Sequence, residues 1–240
     1  MVEETRADDF PGWLLSEIGS AGRENLDADH VARYDDKEDA DAGSEVQLCE
    51  ALGLGPTSTV VEFGSGTGQF TIAVARHCAR VFAVDVSRAM QHCLAEKLRA
   101  ARLDNVESIT AGFLTYRHED DPVDLVYSRL ALHHLPDFWK AVALDRIHAM
   151  LRPGGIFRLC DVVFNFQPSE ATERIDAWCA TGGTSVDAEW SRAELEEHVR
   201  DEHSTFTWIM EPMAVKCGFT VDSADYSDDG ILAKYVLRRT

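Results

Sequence analysis

The peptide Val60-Val61-Glu62-Phe63-Gly64-Ser65-Gly66-Thr67-Gly68 constrains this chain more than any other stretch, because it reads as a buried strand running straight into a glycine turn. Val60 and Val61 are β-branched and favour extended backbone, while three glycines at alternate positions leave one loop face without Cβ atoms for a ligand to approach. The apolar-periodic run Phe70, Ile72, Ala73, Val74 follows at once, so a helix begins where the loop ends. In open α/β sheets a ligand sits at the carboxyl end of such a strand. A second strand, Val81 to Val84 by sequence, ends in Asp85, about twenty residues past the first glycine, the spacing at which a carboxylate reaches a ribose diol. Ser87 is available to cap the next helix, which leaves Asp85 for a nucleoside.

The details decide which nucleoside. A dinucleotide fingerprint has its third glycine three positions after the second, whereas Gly66 and Gly68 are two apart. Glu62, two residues before Gly64, would repel a pyrophosphate and favour a ligand bearing an ammonium and a sulfonium. These residues resemble the acid-x-Gly-x-Gly-x-Gly motif of class I S-adenosylmethionine-dependent methyltransferases. The resemblance implies S-adenosylmethionine as cofactor, held by Glu62, Gly64, Ser65, Gly66 and Gly68, with Asp85 and Val86 at the ribose. It also implies contacts from Gly112, Phe113 and Ser128, and from Tyr34 in a Tyr-Asp pair that closes over the cofactor, with Lys37 close by. The family usually carries Gly-Asp where this chain has Gly112-Phe113, so an aromatic ring stands in place of the carboxylate that accepts the adenine amino group.

Alternating strands and helices continue to a Leu-Arg-Pro-Gly-Gly turn ending at Gly155 and a strand over 156–162, which implies right-handed crossovers and a parallel sheet covered on both faces. The expected fold is α/β: a doubly wound, Rossmann-like, seven-stranded, mostly parallel sheet with an antiparallel last strand. An N-terminal helical or lid segment (1–42) precedes a methyltransferase domain (43–240) that carries a helical substrate-cap insertion at about 164–206. The segment Leu132, His133, His134, Leu135, Pro136, Asp137 resembles the ubiquinone/menaquinone-type branch, whose members methylate small molecules, and is unlike the Asn-Pro-Pro-Tyr motif of enzymes that methylate adenine or glutamine.

Charge narrows the substrates. A net charge of −19, from 42 acidic and 23 basic residues, repels nucleic acid and anionic membranes, so a small neutral or cationic acceptor is expected. The six cysteines, Cys49, Cys78, Cys93, Cys160, Cys179 and Cys217, form no C-x-x-C pair and read as reduced thiols of a cytoplasmic protein. The start of the chain lacks the basic and apolar regions of a secretory signal. Monomer and homodimer are both compatible with these residues.

Methyl transfer from a sulfonium needs the nucleophile held about 3–3.5 Å from the methyl carbon, and positioning alone can suffice. If the acceptor must lose a proton, His133 and His134 are the candidate bases, with Asp161 and His203 behind them; packing beneath the helix is the alternative for either histidine. No His-x-x-x-His pattern occurs, and no metal is expected. Trp178, Trp190, His203, Phe206 and Trp208 line the acceptor pocket or simply anchor the insertion. Two other functions remain open: a catalytically silent cofactor-binding protein, or a dinucleotide oxidoreductase.

Overall fold

The computed structural model describes residues 10–20, 41–183 and 190–240. Tyr34, Asp35 and Lys37 lie outside the described residues. The helices Glu17–Ser20 (α1) and Ala42–Ala51 (α2) precede the first strand, Thr59–Phe63 (β1). Gln69–Val74 (α3), Arg80–Asp85 (β2), Arg88–Ala101 (α4), Val106–Thr110 (β3) and Val123–Arg129 (β4) follow in alternation. A 3-10 turn at Leu132–His134 leads into Asp137–Met150 (α5) and Leu151–Phe164 (β5). The remaining elements are Ala171–Thr181 (α6), Arg192–Asp201 (α7), Thr205–Phe206 (β6), Thr207–Lys216 (α8), Phe219–Tyr226 (β7) and Leu232–Arg239 (β8).

The seven main strands are ordered β3-β2-β1-β4-β5-β8-β7, and β6 adds to the end of β5. Strands β1 to β5 pair in parallel, and β8 runs antiparallel to both β5 and β7. This is the expected sheet with its reversed last strand. Val61 and Phe63 point into one core layer with Leu144, Ile147 and Phe157. Val60 points into the other with Phe70, Val74 and Tyr127. A strand buried on both faces has no polar alternation, which is why β1 reads as a continuous apolar run.

The Pro-Gly-Gly turn is part of the β5 span. Pairing with β4 jumps from Val123↔Leu151 to Leu125↔Ile156, so residues 152–155 bulge out of the ladder, with Gly154 at φ +75°. α2 is held on the sheet by a contact invisible in the sequence: the buried Arg158 guanidinium on β5 donates to both Glu45 oxygens on α2, Nε to Oε2 at 2.8 Å and Nη2 to Oε1 at 2.9 Å.

Candidate active site

At the carboxyl ends of β1, β2 and β4 lies a cleft of about 640 Å³, part of it open to solvent, lined by Gly64, Gly66, Asp85, Val86, Gly112, Phe113, Arg129 and Leu130 among others. The floor is the glycine loop, and backbone bonds set its course. Gly64 N and Ser65 N both donate to Val84 O, at 2.9 and 3.1 Å. Gly66 N then donates to Asp85 Oδ2 at 2.8 Å, and Ser87 N donates to Asp85 Oδ1 at 2.7 Å.

Asp85 therefore clamps the first loop to the second while its carboxylate lines the cleft. It is not left free by Ser87, as expected from the sequence, although Ser87 does cap α4 by accepting from Met90 N at 3.2 Å. Burial pushes the Asp85 carboxyl above its usual range, against the two backbone donors that favour the anion.

The three loop glycines have different tasks. A Cβ on Gly64 would collide with the Ala131 side chain, and one on Gly68 with Leu94; both residues have positive φ, +69° and +88°. Their bareness serves protein packing as well as the turn. Gly68, Ser65, Ser128 and Glu62 do not line the cleft. Ser65 Oγ accepts from Gln91 Nε2 at 3.2 Å, and the Ser128 hydroxyl is buried without a hydrogen-bond partner among the described residues. Glu62, 4 % exposed, accepts from Thr71 Oγ1 on α3. Burial pushes its carboxyl up to about 8; the Thr71 bond opposes this and the Asp85 charge adds to it.

At the Gly112-Phe113 turn, the Phe113 ring lines the cleft and stacks on Phe63, with centroids 4.7 Å apart. A carboxylate is present here nonetheless, supplied by a residue nearly a hundred positions away. Glu17 on α1 lines the cleft and accepts from Leu114 N at 3.1 Å and Thr115 Oγ1 at 3.2 Å. A Cβ on Gly112 would run into that carboxylate. Burial pushes Glu17 up to about 7, against bonds from the 113–115 turn and the Arg146 charge. Only the fold reveals Glu17, since nothing in its local sequence sets it apart.

Similarity to known proteins agrees with these features. A family described as a methyltransferase domain matches residues 60–155. An uncharacterized methyltransferase of Bacillus cereus is 30% identical over 164 residues, covering 68% of this chain and 69% of its own length. Another, from Geobacillus kaustophilus, is 36% identical over 107 residues, and the match spans about half of that relative's length, 47%. The chain belongs to the class I S-adenosylmethionine-dependent methyltransferases. Among solved structures, the cyclopropane synthase MmaA2 of Mycobacterium tuberculosis superposes with a TM-score of 0.63 at 14% identity, covering 82% of this chain and 83% of that one. The N-methyltransferase NodS of Bradyrhizobium japonicum, solved with S-adenosylhomocysteine, gives 0.57 at 17% identity, covering 82% and 86%. These structures share the fold. S-Adenosylmethionine is the cofactor of the family, and the methyltransferase cleft fits it: a bare backbone at Gly66 beside the Asp85 carboxylate, and a second carboxylate, Glu17, at the far turn.

The two histidines of the methyltransferase part company. His134 lines the cleft. Burial pushes its imidazole down to about 3, helped by the neighbouring His133, so it is neutral. His133 does not line the cleft and is bound to the Asp161 carboxylate through Nδ1. Burial disfavours its charged form, but Asp161 and Glu202 outweigh burial and push it up to about 10. Asp161 also accepts from Leu132 N at 2.9 Å and from His133 N at 3.2 Å, fixing the 3-10 turn to β5.

Backbone strain marks the same wall of the cleft: Leu130, not a glycine, has φ +49°. His203 lies outside the cleft lining and donates its backbone N–H to His133 O at 3.0 Å. Phe206 and Trp178 join a small core with Phe164 and Phe166, while Trp208 is 56 % exposed. No described helix is long and apolar enough to cross a membrane. All six cysteines are free thiols, with Cys49, Cys78, Cys160 and Cys179 buried.

Proposed function

We propose that this chain transfers the methyl group of S-adenosylmethionine to a small-molecule acceptor bound between the cofactor cleft and the stretch 164–206, which acts as a cap on a domain spanning 43–240. The observation that carries this reading is the Gly66–Asp85–Ser87 clamp at the cleft floor. It leaves a buried carboxylate facing the cleft with its remaining lone pairs available to a ribose diol. The cofactor supplies an electrophilic methyl group on sulfur.

The chain's own residues do the rest. Gly64 and Gly66 let the backbone approach, Asp85 takes the ribose, and Val86, Gly112 and Phe113 wall the adenine. Glu17 takes the adenine amino group in the role the family gives to an aspartate. His134, neutral and at the cleft, orients the acceptor by a hydrogen bond; an imidazole held so far down is a poor base. The net charge of −19 supports a neutral or cationic acceptor, as does the resemblance of the 132–137 segment to small-molecule methyltransferases.

Calorimetry tests the cofactor half of the proposal. S-Adenosylmethionine and S-adenosylhomocysteine should bind and NAD should not. Asp85→Asn should weaken S-adenosylhomocysteine by roughly 10- to 100-fold, because one anionic acceptor is lost at a buried site. Equal affinity for NAD, or an unaffected Asp85→Asn protein, overturns the assignment. A radiolabelled-methyl screen over metabolite fractions tests the transfer half, and no labelled product from any fraction would refute it.

A further inference from the structure

Beside the cofactor cleft the fold assembles three side chains from two distant segments. His133 Nε2 from the 3-10 turn lies 3.0 Å from Glu202 Oε2, and His198 Nδ1 on α7 meets the same oxygen. The ligand atoms of His133, His198 and Glu202 all lie within 4.8 Å of one another. The outward nitrogen of each histidine is occupied. Asp161 takes His133 Nδ1, and Ser204 Oγ is 2.9 Å from His198 Nε2. In the metal-free protein the inward His133 Nε2 pairs with Glu202 as a proton donor; with an N–H directed outward on each ring, an ion at this point would take the place of that proton and meet a lone pair on both inward nitrogens. Glu202 Oε2 is buried there and makes no hydrogen bond of acceptable geometry among the described residues.

Two imidazole nitrogens converging on one buried carboxylate oxygen demand positive charge at that point, which either imidazole protons or a bound cation supplies. Outer partners that orient each ring from behind are the usual support of a metal-bound histidine. We propose that His133 Nε2, His198 Nδ1 and Glu202 Oε2 bind one divalent transition-metal ion of the zinc class, with Asp161 and Ser204 fixing the tautomers. The donor set favours zinc, cobalt or ferrous ion over magnesium or calcium, which take oxygen ligands.

Ligand atoms of a tetrahedral zinc ion stand about 3.3–3.5 Å apart, given bonds of roughly 2.0–2.2 Å, so only small side-chain shifts are needed. Three protein ligands leave a coordination position for water or for an oxygen or nitrogen of a bound molecule. The ion would also pin the cap helix α7 to the wall of the cleft, since His134, next to the ligand His133, lines it. The spacing that encodes half of the site, His198 and Glu202 four residues apart, is visible in the sequence once the partner histidine is known.

The test is metal content and affinity of the purified full chain after chelator dialysis and reloading with zinc or cobalt alone. The expected result is one equivalent of metal per chain, a visible cobalt spectrum of low-symmetry nitrogen and oxygen ligation, and an unfolding midpoint raised by zinc. His198→Ala and Glu202→Gln should each weaken zinc at least tenfold and abolish the midpoint shift, whereas His92→Ala on the exposed face of α4 should change neither. If either ligand variant fails to fold, His198→Gln with the cobalt spectrum decides the point. Substoichiometric zinc in the folded parent, or affinity indifferent to both ligand variants, overturns the proposal. Because S-adenosylhomocysteine binding is measured on the same samples, loss of this site and loss of the cofactor assignment are distinguishable.

Discussion

Glu62 is a carboxylic acid set inside the sheet, opposite Ala83 on one side and Tyr127 on the other, with a single side-chain partner in Thr71. In the ligand-free protein burial pushes its proton affinity from the ordinary 4.5 up to about 8. Between those two pH values the folded chain holds a proton that the unfolded chain has released. Stability changes with pH as the unfolded minus the folded proton count, which is negative here, so stability must fall as pH rises. The contribution is fully present below about 4.5, declines through the interval and is gone above about 8.

At about 1.36 kcal/mol for each pH unit between the two values, the whole interval is worth roughly 5 kcal/mol, a large part of the roughly 5–15 kcal/mol that holds a typical domain. Glu62→Gln keeps an acceptor for Thr71 and cannot ionise, so it should remove this slope. Urea unfolding of both proteins at pH 5, 6, 7 and 8.5 isolates the contribution of Glu62 as their difference. The variant should gain on the parent by several kcal/mol across the series. A difference flat to within about 1 kcal/mol would refute the reasoning, because an acid that ionises freely in the fold binds its proton no more tightly than in the unfolded chain.

Glu17 makes a second pH prediction, read from ligand binding. If its carboxylate takes the adenine amino group, the anion binds more tightly, so S-adenosylhomocysteine affinity should rise as pH passes about 7 and level off above, and calorimetry on Glu17→Gln should find the rise gone. Gly68→Ala combines a positive φ of +88° with a collision against Leu94 and should cost about 2–4 kcal/mol in denaturant unfolding, of which Gly68→Ala/Leu94→Ala regains none of the backbone strain. Glu45→Ala strands the buried Arg158 guanidinium beneath α2 and should cost about 3–5 kcal/mol by the same assay, with Glu45→Leu/Arg158→Met costing far less.

The sheet was legible because its signals are local. Val60 and Val61 before a glycine turn, the acid at the end of β2 and the apolar stripe of α4 each report a conformation that neighbouring residues enforce on one another. The cofactor cleft was legible only as far as a motif could be counted along the chain. Of the residues the motif singles out, Gly64, Gly66, Asp85, Val86, Gly112 and Phe113 line the cleft, whereas Glu62, Ser65, Gly68 and Ser128 do not. A motif gives spacing, and the direction of each side chain is set by strand pleat and packing.

What the sequence by itself determined is the order of elements and, with it, the meeting of the glycine loop with Asp85, because parallel strands joined by helices bring their carboxyl ends to one edge. What only the tertiary structure decided are the charges that arrive from afar. Glu17 comes to the turn that lacks an aspartate, Arg158 to Glu45, and His198 and Glu202 to His133, across separations of 97, 113 and over 60 positions. Such contacts leave no periodicity along the chain. Their energy comes from burial and from the exclusion of water around the paired groups, and those conditions exist only once the sheet, α7 and the N-terminal helices have closed on one another.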